Sequence, residues 1–161
     1  MNAKTILLFF HVAGAVVLMG ELLFASLWLK AALKKTGGST LLRYTLATMT
    51  WTSKSYALPA ILVNLLAGLG LLHFAGVAWG TAIWLWISLV LYVVVTGMWH
   101  GMLIPMRKRM LAAVEAAAGS GGDGAAPAET LAMASKWVSA SGVVMAMLFA
   151  ILLLMTWKPT I

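Results

Sequence analysis

Apolar residues run almost unbroken through four stretches of the chain, Ile6–Leu29, Tyr56–Gly76, Thr81–Pro105 and Trp137–Trp157. Each is close to the roughly 20 residues that one helix needs to cross the hydrocarbon core of a bilayer. From Ser55 to Met106 there is no Lys, Arg, Asp or Glu. That run is about twice what a single crossing needs, so it must fold back on itself, and Gly76-Val77-Ala78-Trp79-Gly80 is the expected turn. The stretches lack the apolar–polar alternation of barrel strands. The pattern therefore predicts an all-α fold, a four-helix transmembrane bundle forming one domain over 1–161.

Polar positions within the stretches define faces. On the first helix His11, Gly14, Leu18, Glu21 and Ala25 fall on one face about 80° wide at 100° per residue, and its small residues let a neighbour approach. On the second, Asn64 and Gly68 share a face with Ala57 and Ala60, and Pro59 is expected to kink the helix. On the third, Ser88, Tyr92, Thr96 and Trp99 form a stripe with His100 at its edge. On the fourth, Ser135, Ser139, Gly142 and Ala146 give a small, weakly polar face.

Charge orients the bundle. Nine of eleven basic residues lie in two loops, 30–55 (Lys30, Lys34, Lys35, Arg43, Lys54) and 106–136 (Arg107, Lys108, Arg109, Lys136). The positive-inside rule puts both loops in the cytoplasm and both termini outside. The expected location is a bacterial inner membrane, with lipid as the first partner. Trp79, Trp84 and Trp157 would form an outer aromatic belt, and Trp28, Trp51 and Trp137 an inner one. The net charge of +7 thus reflects topology and attraction to anionic lipid. It is not a nucleic-acid footprint, because no basic stretch is interleaved with stacking aromatics on a soluble element. Within the loops, 39–51 is amphipathic enough to lie along the inner surface. Met106–Ala118 continues the third helix, and 119–127 has the composition of a flexible linker. Glu21, and the lack of a small-x-small site before a soluble domain, mark the first segment as retained rather than cleaved.

The candidate chemistry is sparse. The chain has no cysteine, which excludes disulfides, thiolate metal sites and Cys-attached haem. All three histidines, and Glu21 alone of four acids, lie in the spans, where an ionisable group is costly and needs a partner. At 1.5 Å per residue His11 and His73 lie roughly 9 and 5 Å below the outer helix ends, and Glu21 and His100 roughly 12 and 8 Å above the inner ends. The expected pairs are therefore His11 with His73 and Glu21 with His100. Two imidazoles from neighbouring helices can ligate haem b within a bundle. His11 and His73 are the candidate iron ligands, and single axial ligation by His11 or His100 is the variant. The plain alternative is that His73 is solvated at the interface. Glu21, His100 and Tyr92 form a candidate relay, with a register-fixing polar clamp as the alternative. Met98, Met102, Met106 and Met110 could offer thioethers to Cu(I), although that spacing is also ordinary helix packing.

The segment Phe10-His11-Val12-Ala13-Gly14-Ala15-Val16-Val17-Leu18-Met19-Gly20 resembles the F-H-hydrophobic-x-G-A-hydrophobic-x-x-x-G opening of the DUF2269 family of small integral membrane proteins. Pro59, Gly68, Trp99 and Leu103-Ile104-Pro105 match further along. The resemblance implies the fold above but no settled activity. The first helix is also similar to those of the HemJ-type protoporphyrinogen oxidases, which implies haem or porphyrin chemistry at His11, and of the CopD-type copper-resistance proteins. The HemJ-type pattern further asks for an arginine later in the first helix and a lysine in the bundle. Here the first span offers Glu21 and the second and third spans hold no lysine, which argues against that oxidase activity. The expectation is a haem b-binding membrane protein, a cytochrome-like electron-transfer or sensing module. The rivals are a transporter or copper-handling protein using Glu21 and His100, and a non-catalytic subunit of a homo-oligomer or larger membrane complex.

Overall fold

The computed structural model describes residues 2–34, 39–76, 82–119 and 126–158. Among these every regular element is helical: α1 (Ala3–Lys34), α2 (Ser39–Thr52), α3 (Leu58–Ala75), α4 (Ile83–Met98), α5 (Ile104–Gly119) and α6 (Ala128–Trp157). Two five-residue π-helical turns, Ser53–Ala57 and Trp99–Leu103, join α2 to α3 and α4 to α5. The result is four continuous rods, of which Ala3–Lys34, Ser39–Phe74, Ile83–Ala118 and Ala128–Trp157 are each long and apolar enough to cross a membrane.

Both π turns have the same cause. Each ends two residues before a proline, Pro59 or Pro105. Proline has no amide hydrogen, and its ring crowds the carbonyl four residues back. The chain yields by widening one turn, so Leu58 N–H reaches back to Ser53 O, and Ile104 N–H to Trp99 O, in i→i−5 bonds. The kink expected at Pro59 is thus a π turn on its N-terminal side. Pro105 does not end its helix either.

The rods contain 32, 36, 36 and 30 residues, roughly 45–54 Å at 1.5 Å per residue, against a hydrocarbon core of ~30 Å. They project well beyond a bilayer. The expected loops are accordingly mostly helix. Ser39–Thr52 does not lie apart along a surface; it is the first half of the second rod and packs against α1 and α5. The bundle core follows from this: Leu22, Leu29, Leu46, Met49, Met110, Val114 and Val144 are fully buried. Most lie towards the end that carries Lys30, Lys34, Arg43 and Lys108, called the basic end below. At the other end α3 stops on Gly76, whose φ of 58° is left-handed and suits a residue without a side chain. The rest of the expected turn, 77–80, lies outside the described residues, as do 120–125 of the expected linker.

The inward face of α1 agrees with expectation: Gly14, Leu18 and Ala25 are buried. On α6 the expectation fails. Ser135, Ser139, Gly142 and Ala146 are exposed, and the helix buries Thr130, Ala134, Trp137, Ala140, Ser141 and Val144. Trp137 is therefore not a belt residue; its indole N–H donates to Leu103 O at 3.0 Å. Trp28 and Trp51 remain exposed at the basic end, and Trp157 at the other. The inward face is the one that carries Trp137 and Val144, with the small residues Ala134, Ala140 and Ser141 beside them.

Candidate functional site

Helices α1 and α3 approach each other closely at their glycines. A Cβ on Gly14 would lie 2.9 Å from Asn64 Cβ and 3.1 Å from Ala60 O, and one on Gly68 would lie 2.9 Å from His11 Cε1. Backbones this close allow reciprocal bonds. His11 Nδ1 donates to Asn64 O at 2.8 Å, and Asn64 Nδ2 donates to His11 O at 2.7 Å. The backbone acceptor fixes the His11 tautomer, leaving a lone pair on Nε2. The contacts Leu7–Gly70 and His11–Gly68 run antiparallel, so His73 lies roughly 7 Å beyond the level of His11 by helical rise. It is exposed there, edge-on to Phe74. The expected His11–His73 pairing at one height is thus corrected: a single residue-for-residue register, set by the glycines, separates them. The structure does not bring the two rings together.

The expected Glu21–His100 pair is also corrected. His100 is exposed on the outside of its rod, and its Nδ1 bonds Thr96 O of its own helix at 3.0 Å. Tyr92 takes no part either: its hydroxyl donates to Ile61 O at 2.9 Å, tying α4 to α3. Of the methionines, Met98 and Met106 pack against the core and Met110 is fully buried, whereas Met102 is exposed. They do not face one site. Among the described residues no group of three or more His, Asp or Glu converges as a metal site.

Glu21 has different partners. Ser53 Oγ donates to Glu21 Oε1 at 2.6 Å, and Thr52 Oγ1 donates to the same oxygen at 3.3 Å. Ser53 Oγ in turn accepts from Arg107 Nη1 at 2.7 Å, and the same nitrogen donates to Met49 O at 2.9 Å. Arg107 is only 4% exposed, Ser53 2% and Glu21 half-buried. The guanidinium and the carboxylate interact electrostatically through the shared hydroxyl. Three rods therefore meet on one buried charged network: α1 supplies the acid, the first π turn the hydroxyl, and α5 the cation. Arg107 Nε is buried without a partner, so the network retains an unused donor.

Ser53, Thr52 and Arg107 were missed in the sequence, where Arg107 reads as one of a loop cluster of cations. A signal was present. Trp99, Leu103, Arg107, Met110 and Val114 recur every three or four residues and are all buried, whereas Lys108 and Arg109 are exposed.

No curated protein and no solved structure matches the chain. The family described as "Predicted integral membrane protein (DUF2269)" matches residues 5–159, nearly the whole chain. With four helices able to span a bilayer and the family's match over that length, the chain belongs to the DUF2269 family of integral membrane proteins.

Proposed function

We propose that this is a proton-handling protein of the bacterial inner membrane, both termini outside, in which Glu21 takes up and releases a proton under the control of Arg107. One observation carries the reading: Ser53 Oγ joins the Glu21 carboxylate to the Arg107 guanidinium inside the bundle, at 2.6 and 2.7 Å. Arginine keeps its proton, so Glu21 is the member whose charge changes. With Glu21 ionised the pair is compensated. With Glu21 protonated, Arg107 stands uncompensated in a region of low dielectric. The network thus has two states of different internal charge at a π turn, a local geometry often found at working sites. A transporter driven by protons needs such an element. A purely structural clamp does not need a titratable one.

The test is proton flux into proteoliposomes loaded with a pH-sensitive dye, driven by a potassium diffusion potential. Wild type should exceed empty vesicles, Glu21→Gln should fall to the empty-vesicle rate, and Glu21→Asp should retain part. Equal flux in wild type and Glu21→Gln would overturn the reading.

A second reading rests on His11. Its Nδ1–H is engaged by a backbone carbonyl, the usual way of orienting a ligating imidazole. In the haem reading His11 Nε2 is the atom that would hold the iron of haem b, which would supply electron-transfer or sensing chemistry. Purified protein would then show a Soret band that His11→Ala abolishes and His73→Ala leaves in place. Colourless protein from haem-replete cells rules it out.

A further inference from the structure

We propose that water reaches Glu21 from the basic end along a groove between α1 and α2, and that this groove is the route by which the carboxylate exchanges its proton. The groove has about 250 Å³ of space and is open to the outside. A single water needs about 10–15 Å³ of such space. On α1 the walls are Trp28, Ala31 and Ala32, and the two alanines make the room. On α2 they include Tyr44, Thr45 and Thr48, residues whose hydroxyls both donate to and accept from water.

The groove leads to the acid. At 100° per residue Trp28 lies about 20° to one side of Glu21 on α1, and Ala32 about 20° to the other. On α2, Thr45, Thr48 and Thr52 follow one another at i, i+3 and i+7, within about 60° of one face. Thr52 is the residue whose hydroxyl donates to Glu21 Oε1. From Thr48 at the groove to Thr52 at the acid is one turn, roughly 6 Å by helical rise. Ser53 and Arg107 are buried, whereas Glu21 and Thr52 are only half-buried. The accessible members of the network are thus the two that stand on the groove's own faces of α1 and α2.

The mouth of the groove lies at the membrane surface. Lys30 and Lys34 are exposed on the same turns of α1 as Ala31 and Ala32, and an unpaired cation on a helix surface needs water. Trp28 is exposed just before them, where an aromatic anchors a helix at the interface. Water rather than a lipid chain is therefore the occupant. The route rests on the proton reading of Glu21 for its use, and not for its existence.

The chain has no cysteine, so single thiols report on the route in the full-length protein in nanodiscs. A thiol reacts as its thiolate, which apolar surroundings suppress. Thr48→Cys and Thr52→Cys should both react with a permanently charged, bilayer-impermeant methanethiosulfonate, and Leu66→Cys, exposed on α3, should not. Ala31→Trp fills the groove from an exposed position and should slow the reaction of Thr52→Cys several-fold; Thr48→Leu is the second plug should Ala31→Trp fail to fold. An unreactive Thr52→Cys overturns the proposal, as does one whose rate neither plug changes. An unreactive Thr48→Cys overturns it too, with lipid as the occupant. Proton flux into proteoliposomes separates the two readings. If the plug slows labelling but wild type and Glu21→Gln pass protons alike, the water route stands and the proton reading of Glu21 falls. If Glu21→Gln abolishes flux and the plug leaves flux untouched, Glu21 stands and the groove is not the proton's path.

Discussion

A double-mutant cycle on Glu21 and Arg107 tests the charged network directly. Arg107→Met keeps an apolar stem but removes the donors to Met49 O and Ser53 Oγ. Two membrane hydrogen bonds at about 0.6–1 kcal/mol each give a loss of ~1–2 kcal/mol. The Glu21 carboxylate also loses its compensating charge. Breaking one side of a buried pair costs about 3–5 kcal/mol when the survivor stays charged, but Glu21 can bind a proton and shed part of that. The expected total is about 2–4 kcal/mol. Glu21→Gln keeps an acceptor for Ser53 and Thr52 but strands the guanidinium, and should cost about 2 kcal/mol or more. The double variant contains no buried charge, so it should cost less than the sum by about 1–3 kcal/mol. Reversible unfolding of the detergent-solubilised protein by SDS measures all three. If the single losses add to within about 0.5 kcal/mol, the two side chains are not coupled, and the network drawn here is wrong.

Three further outcomes are expected. Gly14→Ala puts a methyl against Asn64 Cβ and Ala60 O, neither of which can swing away, so thermal melts should show a loss of about 1–3 kcal/mol; Gly97→Ala meets nothing within 4 Å and should be neutral or stabilising. His100→Ala should change stability by no more than about 0.5 kcal/mol and leave the Glu21–Arg107 coupling energy unaltered in the same cycle, because His100 faces outward and bonds only its own helix. Reporter fusions after Ile161 should read as periplasmic, since nine of eleven basic residues lie in the two connections at the other end; a cytoplasmic signal would invert the orientation.

The fold was legible because its cause is one-dimensional. Four apolar stretches and a charge-free run of two span lengths leave little else to build. The inward face of α1 was also legible, because Gly14, Leu18 and Ala25 are small or apolar at helical spacing. The site was only half legible. Glu21 announced itself as the one acid in a span, but its partner was sought at equal depth among the histidines. Depth counted from helix ends assumes that helices end where hydrophobicity ends. Here α2 and α5 carry the rods past that point, and Ser53 and Arg107, apparently loop residues, become interior ones. The offset of His11 from His73 was equally hidden. It is set by which glycine receives which side chain, Leu7 at Gly70 and His11 at Gly68, a matter of pairwise packing that no single helix records.

The two prolines explain how a cation in a basic cluster comes to face the core. Trp99, Leu103 and Arg107 are spaced by four and four residues. In a regular helix eight residues advance the face by about 80° past two full turns, which would carry Arg107 towards the edge of the buried stripe beside Lys108. A π turn accommodates an extra residue within its i→i−5 bond, so a four-residue step drifts less, and Leu103 and Arg107 stay 2% and 4% exposed. The first π turn does the complementary thing, ending the polar half of the second rod at Ser53 and delivering its hydroxyl opposite Glu21. Pro59 and Pro105 thus act by phase rather than by bending alone. Each costs a backbone hydrogen bond. What the bundle gains is a half-buried acid and a buried cation that meet at one hydroxyl, the three groups each coming from a different rod.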